Sequence, residues 1–148
     1  VLFYGIIPVC FTYYVQALSF SPLSFLLSVS VGLLSTNILV VNNYRDYVQD
    51  KASHKRTTIV LFGRGFGRIF YLLNGVVALL LAMPLMLDAS WWIQFLFAAF
   101  FALFYATWRQ LYRFEGRELN KTLGHTARNV FLFTLLLSLL LISLTTGL

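Results

Sequence analysis

"FLLSVSVGLLSTNILVVNNYRDYVQDKASHKRT", residues 25–57, joins two unlike halves. Up to Val41 it is apolar enough for the interior of a membrane. From Asn42 onward it carries two asparagines, the aspartates Asp46 and Asp50, and the cations Arg45, Lys51, Lys55 and Arg56. A helix crossing the hydrocarbon core needs about 20 apolar residues, which is roughly the length available before Asn42. The junction therefore reads as a membrane surface, with a dense set of oxygen ligands and cations placed on it.

The rest of the chain agrees. Of 148 residues, 59% are hydrophobic and 11% charged, and mean hydropathy is +0.80. A soluble domain carries about a quarter charged residues. Five apolar runs have the length of a span: 1–18, 23–41, 69–87, 91–108 and 130–148. They are continuous rather than short and alternating, so they read as helices and not as barrel strands. The expected fold is all-α, a polytopic transmembrane bundle of about five spans.

All eleven Lys and Arg residues fall in two polar segments, 43–68 and 109–128. The opposite connections, "ALSFSPLS" (17–24) and "MLDAS" (86–90), contain only Asp88 as a charged residue. The positive-inside rule places both basic segments in the cytoplasm, with the N-terminus inside and the C-terminus outside. Cations in such positions set orientation and meet anionic lipid headgroups, so the net charge of +6 does not call for nucleic acid. Cys10 is the only cysteine, which excludes an internal disulfide or a cysteine metal site. The chain starts inside an apolar stretch with no basic leader and no cleavage site, and without Met. It is expected to be the C-terminal part of a longer protein.

If the helix ending near Val41 continues, Asn42, Asp46 and Asp50 stand at i, i+4 and i+8, with Asn43 three residues before Asp46. Side chains at these spacings share a face. Two carboxylates on one face repel unless a cation lies between them. An oxygen-only ligand set suits Mg²⁺, which takes one or two carboxylates plus substrate phosphates, and Arg45, Lys55 and Arg56 suit the phosphate oxygens. Such a site would hold a lipid diphosphate. On spacing alone the alternative stands equally: Asp46 and Asp50 simply pair with Arg45, Lys51 and Lys55 on a solvated surface.

The longer string "NNYRDYVQDKASHKRTTIVLFG" resembles the second Asp-rich motif of the UbiA superfamily of intramembrane aromatic prenyltransferases. It is most similar to the menaquinone branch, the 1,4-dihydroxy-2-naphthoate polyprenyltransferases, whose pattern is N-N-x-R-D-x-x-x-D followed by G-K-R-T. Asn42, Asn43, Arg45, Asp46, Asp50, Lys55, Arg56 and Thr57 match; His54 stands where that branch has Gly. "IIPVCFTYYVQALSFS" resembles the helix before the motif helix, and "GRELNKTLGHTARNVFLFTLLLSLLL" the end of the branch.

The resemblance implies nine helices in the whole protein, of which this chain would be helices five to nine, in one prenyltransferase domain over 1–148. It implies transfer of a polyprenyl group from polyprenyl diphosphate to 1,4-dihydroxy-2-naphthoate with loss of CO₂, giving demethylmenaquinol, in the bacterial cytoplasmic membrane. Asp46 and Asp50 would be catalytic and, with Asn42 and Asn43, ligate Mg²⁺; Arg45, Lys55 and Arg56 would bind the diphosphate. The partners implied are membrane lipid and the missing N-terminal helices, which hold the first Asp-rich motif.

Other residues have plainer readings. Tyr13 and Tyr14 could face an allylic cation, but packing or an interfacial place also accounts for them. Glu115 and Glu118 are expected to pair with Arg113, Arg117 and Lys121. "GRGFG", 63–67, lacks the strand that a nucleotide loop follows and reads as a turn into the next helix. Two other functions remain open: a non-catalytic multi-span protein, such as a transporter half or assembly subunit, and a prenyltransferase for 4-hydroxybenzoate or homogentisate. A transporter places ionisable groups near mid-membrane, and no charge falls inside a predicted span.

Overall fold

Ser21 opens the helix that carries the motif. Its hydroxyl accepts the Ser24 N–H at 3.3 Å, and Pro22 follows at the first helical position, where its missing N–H costs nothing. Thr57 caps the next long helix in the same way, accepting from the Val60 N–H at 3.2 Å. Between and beyond these caps, the computed structural model describes residues 1–146.

A π-helical turn, Leu2–Ile6, leads into α1 (Ile7–Ala17). There follow α2 (Pro22–Arg45), the short α3 (Tyr47–Ala52), α4 (Thr58–Leu87), α5 (Trp91–Arg113), a 3₁₀ turn (Gly116–Glu118) and α6 (Leu119–Thr146). Four helices are long and apolar enough to cross a membrane, and Leu2–Ala17 is a shorter apolar helix beside them. This is an all-helical integral membrane protein. The last predicted run, 130–148, ends at residues outside those described.

Two boundaries differ from the sequence reading. Helix α4 begins at Thr58 and α6 at Leu119, well ahead of the apolar runs starting at 69 and 130, so much of the two basic segments is helical. Hydropathy missed this because Arg64 and Arg68 interrupt the apolar start of α4, and the first turns of α6 are polar. They are held by tertiary contacts: Thr122, Thr126 and Asn129 of α6 are all buried, and Arg64 and Arg68 of α4 lie on tyrosine rings. Gly63 (φ 85, ψ 167) breaks α4 near its start, a conformation that only glycine reaches without strain. Within "GRGFG" only Gly63 leaves helical geometry; the expected turn is a single-residue kink, and residues 64–67 already belong to the helix.

Helix α2 is the hub, packing against α1, α4 and α6, while α5 packs on α4 and α6. At the α1 end, Gly5 meets Gly32 so closely that a Cβ on either would collide with the opposite backbone. Small residues at such crossings let membrane helices approach to van der Waals contact. At Gly75, the Phe104 ring fills the space a Cβ would take, and that ring also stacks on Tyr71 with centroids 5.3 Å apart.

Polar side chains tie the helices together inside this apolar shell. Ser30 donates to Ala78 O at 2.6 Å. The Asn37 amide donates to Tyr71 O and accepts from Asn74 Nδ2, both at 3.0 Å. The Tyr71 hydroxyl meets Thr126 Oγ1 at 3.1 Å, and Asn129 donates to Thr107 Oγ1 at 3.0 Å. Buried polar groups need partners where water is absent, and here each helix partners another.

Candidate active site

Val41 is fully buried, and of the four residues after it Tyr44 alone packs into the interior. Tyr44 turns inward, 2% exposed, and donates its hydroxyl to Leu111 O at 3.0 Å. That anchors the end of α2 to α5. Asn42, Asn43, Arg45 and Asp46 are left half-buried around it.

At Asp46 the helix falters (φ −88, ψ 6), yet the spacing survives. Asp46 N–H donates to Asn42 O at 3.0 Å and Asp50 N–H to Asp46 O at 2.8 Å. The i, i+4, i+8 relation read from the sequence is therefore present in the backbone, with a bend at its middle. The side chains divide into two groups.

The first group centres on Arg45. Its Nε and Nη2 hold the two oxygens of Asp46 at 2.7 and 2.9 Å, and Nη2 also reaches Asn42 Oδ1 at 2.8 Å. Nη1 donates to Asn120 Oδ1 on α6, again at 2.8 Å. The hydrogen bond from Arg45 holds the Asp46 carboxyl below its usual range, against the opposing effect of burial, with smaller attractions from Arg45 and Lys55. A polar cavity of about 230 Å³ opens beside this group, lined by Arg45, Asp46, Gln49, Gly116, Arg117 and Asn120.

The second group is Asp50 with Lys55. Asp50 is 7% exposed and accepts from Lys55 Nζ through Oδ1 at 3.1 Å. Its other oxygen, Oδ2, is buried with no hydrogen-bond partner. An unpaired anionic oxygen out of water is costly and suits a cation. Asn43 joins neither group; it lines a separate small cavity with Thr36, Thr58 and Phe70. Arg56 is exposed.

The simple ion pairing weighed for the two aspartates is thus realised, as Arg45–Asp46 and Lys55–Asp50. Among the described residues no three His, Cys, Asp or Glu side chains gather to hold a metal. The oxygens of Asn42, Asp46 and Asp50 are nonetheless the donor set that a hard cation shared with phosphate requires.

A cationic wall stands nearby. The Arg64 guanidinium lies 5.3 Å from the Tyr44 ring centre and 5.2 Å from that of Tyr47. Arg68 lies 4.3 Å from the ring of Tyr112 and donates to Tyr44 Oη at 2.8 Å. Glu115 approaches Arg64 at 3.9 Å rather than the arginines beside it in sequence. Tyr13 and Tyr14 are exposed.

His54 adopts φ 58, the left-handed region where glycine is at ease. The glycine of the motif that His54 replaces has a conformational reason. Sequence reasoning assigned no site role to Asn120, Gln49 or Arg64, and read Arg117 only as a partner for Glu115 and Glu118. The triplet Glu118-Leu119-Asn120 was visible as a pattern, but nothing in it pointed to Arg45, 75 positions earlier.

A model of the UbiA prenyltransferase family matches residues 1–137. The chain belongs to that family. Within it, the chain is 39% identical over 90 residues to a 1,4-dihydroxy-2-naphthoate octaprenyltransferase of Mycobacterium leprae, covering 61% of this chain and 31% of the relative. It is 34% identical over 97 residues to the protein of the same name from Haemophilus influenzae, covering 65% of this chain and 32% of that one. With the Escherichia coli protein of that name the identity is 33% over 101 residues, covering 66% and 33%. The matches thus span about a third of each curated relative. No solved structure matches.

Proposed function

We propose that this UbiA-family chain contributes the second Asp-rich motif of an enzyme that transfers a polyprenyl group from its diphosphate to 1,4-dihydroxy-2-naphthoate. The observation that carries the reading is Asp50: a carboxylate 7% exposed, with one oxygen on Lys55 and the other unpaired. Asp46 stands one turn before it. The similarity to octaprenyltransferases for 1,4-dihydroxy-2-naphthoate supports this acceptor.

Asp46 and Asp50, with Asn42, would hold Mg²⁺, and the bound ion would neutralise charge on the departing diphosphate; Asn43, in its separate cavity, stands outside this set. Lys55 and Arg56 supply cations at the same surface, and Arg45 adds its charge while keeping Asp46 in place. In the reaction the allylic carbon–oxygen bond breaks and diphosphate leaves with the electron pair. The resulting allylic cation bonds to the acceptor's ring carbon, and loss of the ring carboxylate as CO₂ restores aromaticity, giving demethylmenaquinol. Cations and amides aimed at the leaving group lower the barrier electrostatically. The apolar helices keep water from the cation and present lipid-facing surface to the isoprenoid tail. By the positive-inside rule this surface is cytoplasmic, in a bacterial inner membrane.

The test uses membranes containing the chain, alone and alongside the N-terminal segment of the Escherichia coli relative. Mg²⁺-dependent prenylation of 1,4-dihydroxy-2-naphthoate is compared with that of 4-hydroxybenzoate. Naphthoate turnover that stops with EDTA and with Asp46→Ala supports the reading. Turnover of 4-hydroxybenzoate alone would reassign the acceptor, and no turnover from a folded, assembled pair would refute the enzyme reading.

A further inference from the structure

An arginine has five N–H donors in a rigid planar fork, and four of Arg45's are engaged. Two hold Asp46 and one holds Asn42, all near the end of α2. The fourth reaches Asn120 Oδ1 at 2.8 Å, the contact that comes from another helix. The fork is planar, so fixing Nη1 on α6 also fixes the plane in which Nε and Nη2 present themselves to Asp46.

We propose that Asn120 is a positioning residue for Asp46, acting through Arg45: it fixes the guanidinium so that the carboxylate is held in one orientation at the mouth of the polar cavity. The proposal rests on the reading of Asp46 as a Mg²⁺ ligand. A carboxylate that is both bound by a bidentate fork and asked to serve a metal needs its free lone pairs aimed correctly. Partners behind a metal ligand set that aim.

The chemistry of the residue fits the task. Asn120 is exposed and its amide oxygen is neutral, so it accepts from Nη1 without drawing the guanidinium away from Asp46. The amide's own N–H donors stay available to the cavity it lines with Gln49 and Arg117. Docking of α6 on α2 thereby becomes a condition for a correctly presented Asp46, although Asn120 touches neither carboxylate.

The experiment uses the chain assembled with the N-terminal segment of the Escherichia coli relative in lipid nanodiscs, with Mn²⁺ as a paramagnetic stand-in for Mg²⁺ and inorganic pyrophosphate as the anion. Free Mn²⁺ is read by electron paramagnetic resonance. Asn120→Leu keeps the branched shape and removes the acceptor; it should weaken Mn²⁺ binding roughly 10- to 100-fold, the range for groups behind a metal ligand. Arg45→Lys should do the same. The double variant should be no weaker than Arg45→Lys alone, because both act along one path. Unchanged binding in Asn120→Leu, or losses that multiply in the double variant, would overturn the proposal. If the unsubstituted assembled pair binds no Mn²⁺, the metal reading of Asp46 fails instead. The latch is then read from hydrogen exchange at Arg45 Nε–H, assigned with Arg45→Lys. Asn120→Leu must accelerate that exchange, and an unchanged rate rejects the latch.

Discussion

Lys55 Nζ sits 3.1 Å from Asp50 Oδ1 while Asp50 Oδ2 has no partner. The lysine side chain is 60% exposed and the aspartate side chain 9%, so the pair has a wet end and a dry end. Lys55 can swing toward an incoming anion at little cost, whereas Asp50 stays where it is. This asymmetry suits a site that exchanges a structural ion pair for a metal and a diphosphate.

Asp50→Ala is accordingly expected to lower Mg²⁺-dependent prenylation by at least about 100-fold, beyond what loss of a supporting group costs. Lys55→Met should act mainly on the concentration of polyprenyl diphosphate needed. Steady-state kinetics in membranes separates the two, and equal effects of both variants on kcat would contradict this division.

The Arg45–Asp46 pair sets an acid limit. Its hydrogen bond lowers the Asp46 pKa, so the stabilisation is complete above the ordinary carboxylate value of about 4 and is lost as pH falls through the lowered value. Between pH 5 and 8, roughly, the pair is expected not to titrate. Carbon-13 NMR of labelled aspartate should show Asp46 protonating below the usual range, and returning toward it in Arg45→Met. A wild-type midpoint above the usual range would exclude the bidentate pair.

His54 stores backbone strain. A left-handed L-residue costs about 1–2 kcal/mol, partly offset in a His→Gly change by the greater freedom of glycine in the unfolded chain, about 0.4–1 kcal/mol. His54→Gly should therefore stabilise the protein by on the order of 0.5 kcal/mol. Thermal unfolding in detergent tests the sign; a lower midpoint would show that the imidazole contributes something the backbone does not reveal.

Gly75 admits the Phe104 ring where a side chain would otherwise be. Gly75→Ala should destabilise the α4–α5 contact by about 1–3 kcal/mol, as overpacking does. Adding Phe104→Leu should recover part of the loss. A double variant less stable than Gly75→Ala alone would place the strain elsewhere.

The spans were legible in the sequence because long continuous apolar runs with so few charges belong in hydrocarbon. The one-face spacing of Asn42, Asp46 and Asp50 was legible because the three recur with the helical repeat, although spacing alone did not separate a metal site from simple ion pairs. Hydropathy could not see that Thr58 and Leu119 begin helices, since what stabilises those first turns is a tyrosine ring under Arg64 or a hydroxyl facing Thr126. Such pairings join residues far apart in the chain. The same holds for Asn120, whose meaning depends on Arg45. Nor did the spacing show that a bend at Asp46 would send its carboxylate to Arg45 and that of Asp50 to Lys55.

The polar ladder inside the bundle has a consequence for how the protein is made. Asn37 and Asn74 meet as soon as α4 lies beside α2, but the Tyr71 hydroxyl waits for Thr126 on α6. Without α6 that hydroxyl lacks this partner, and a buried polar group left unpaired costs about 1–3 kcal/mol. Docking of α6 thus closes the polar ladder, and a bundle assembled without it would leave the Tyr71 hydroxyl short of its Thr126 partner.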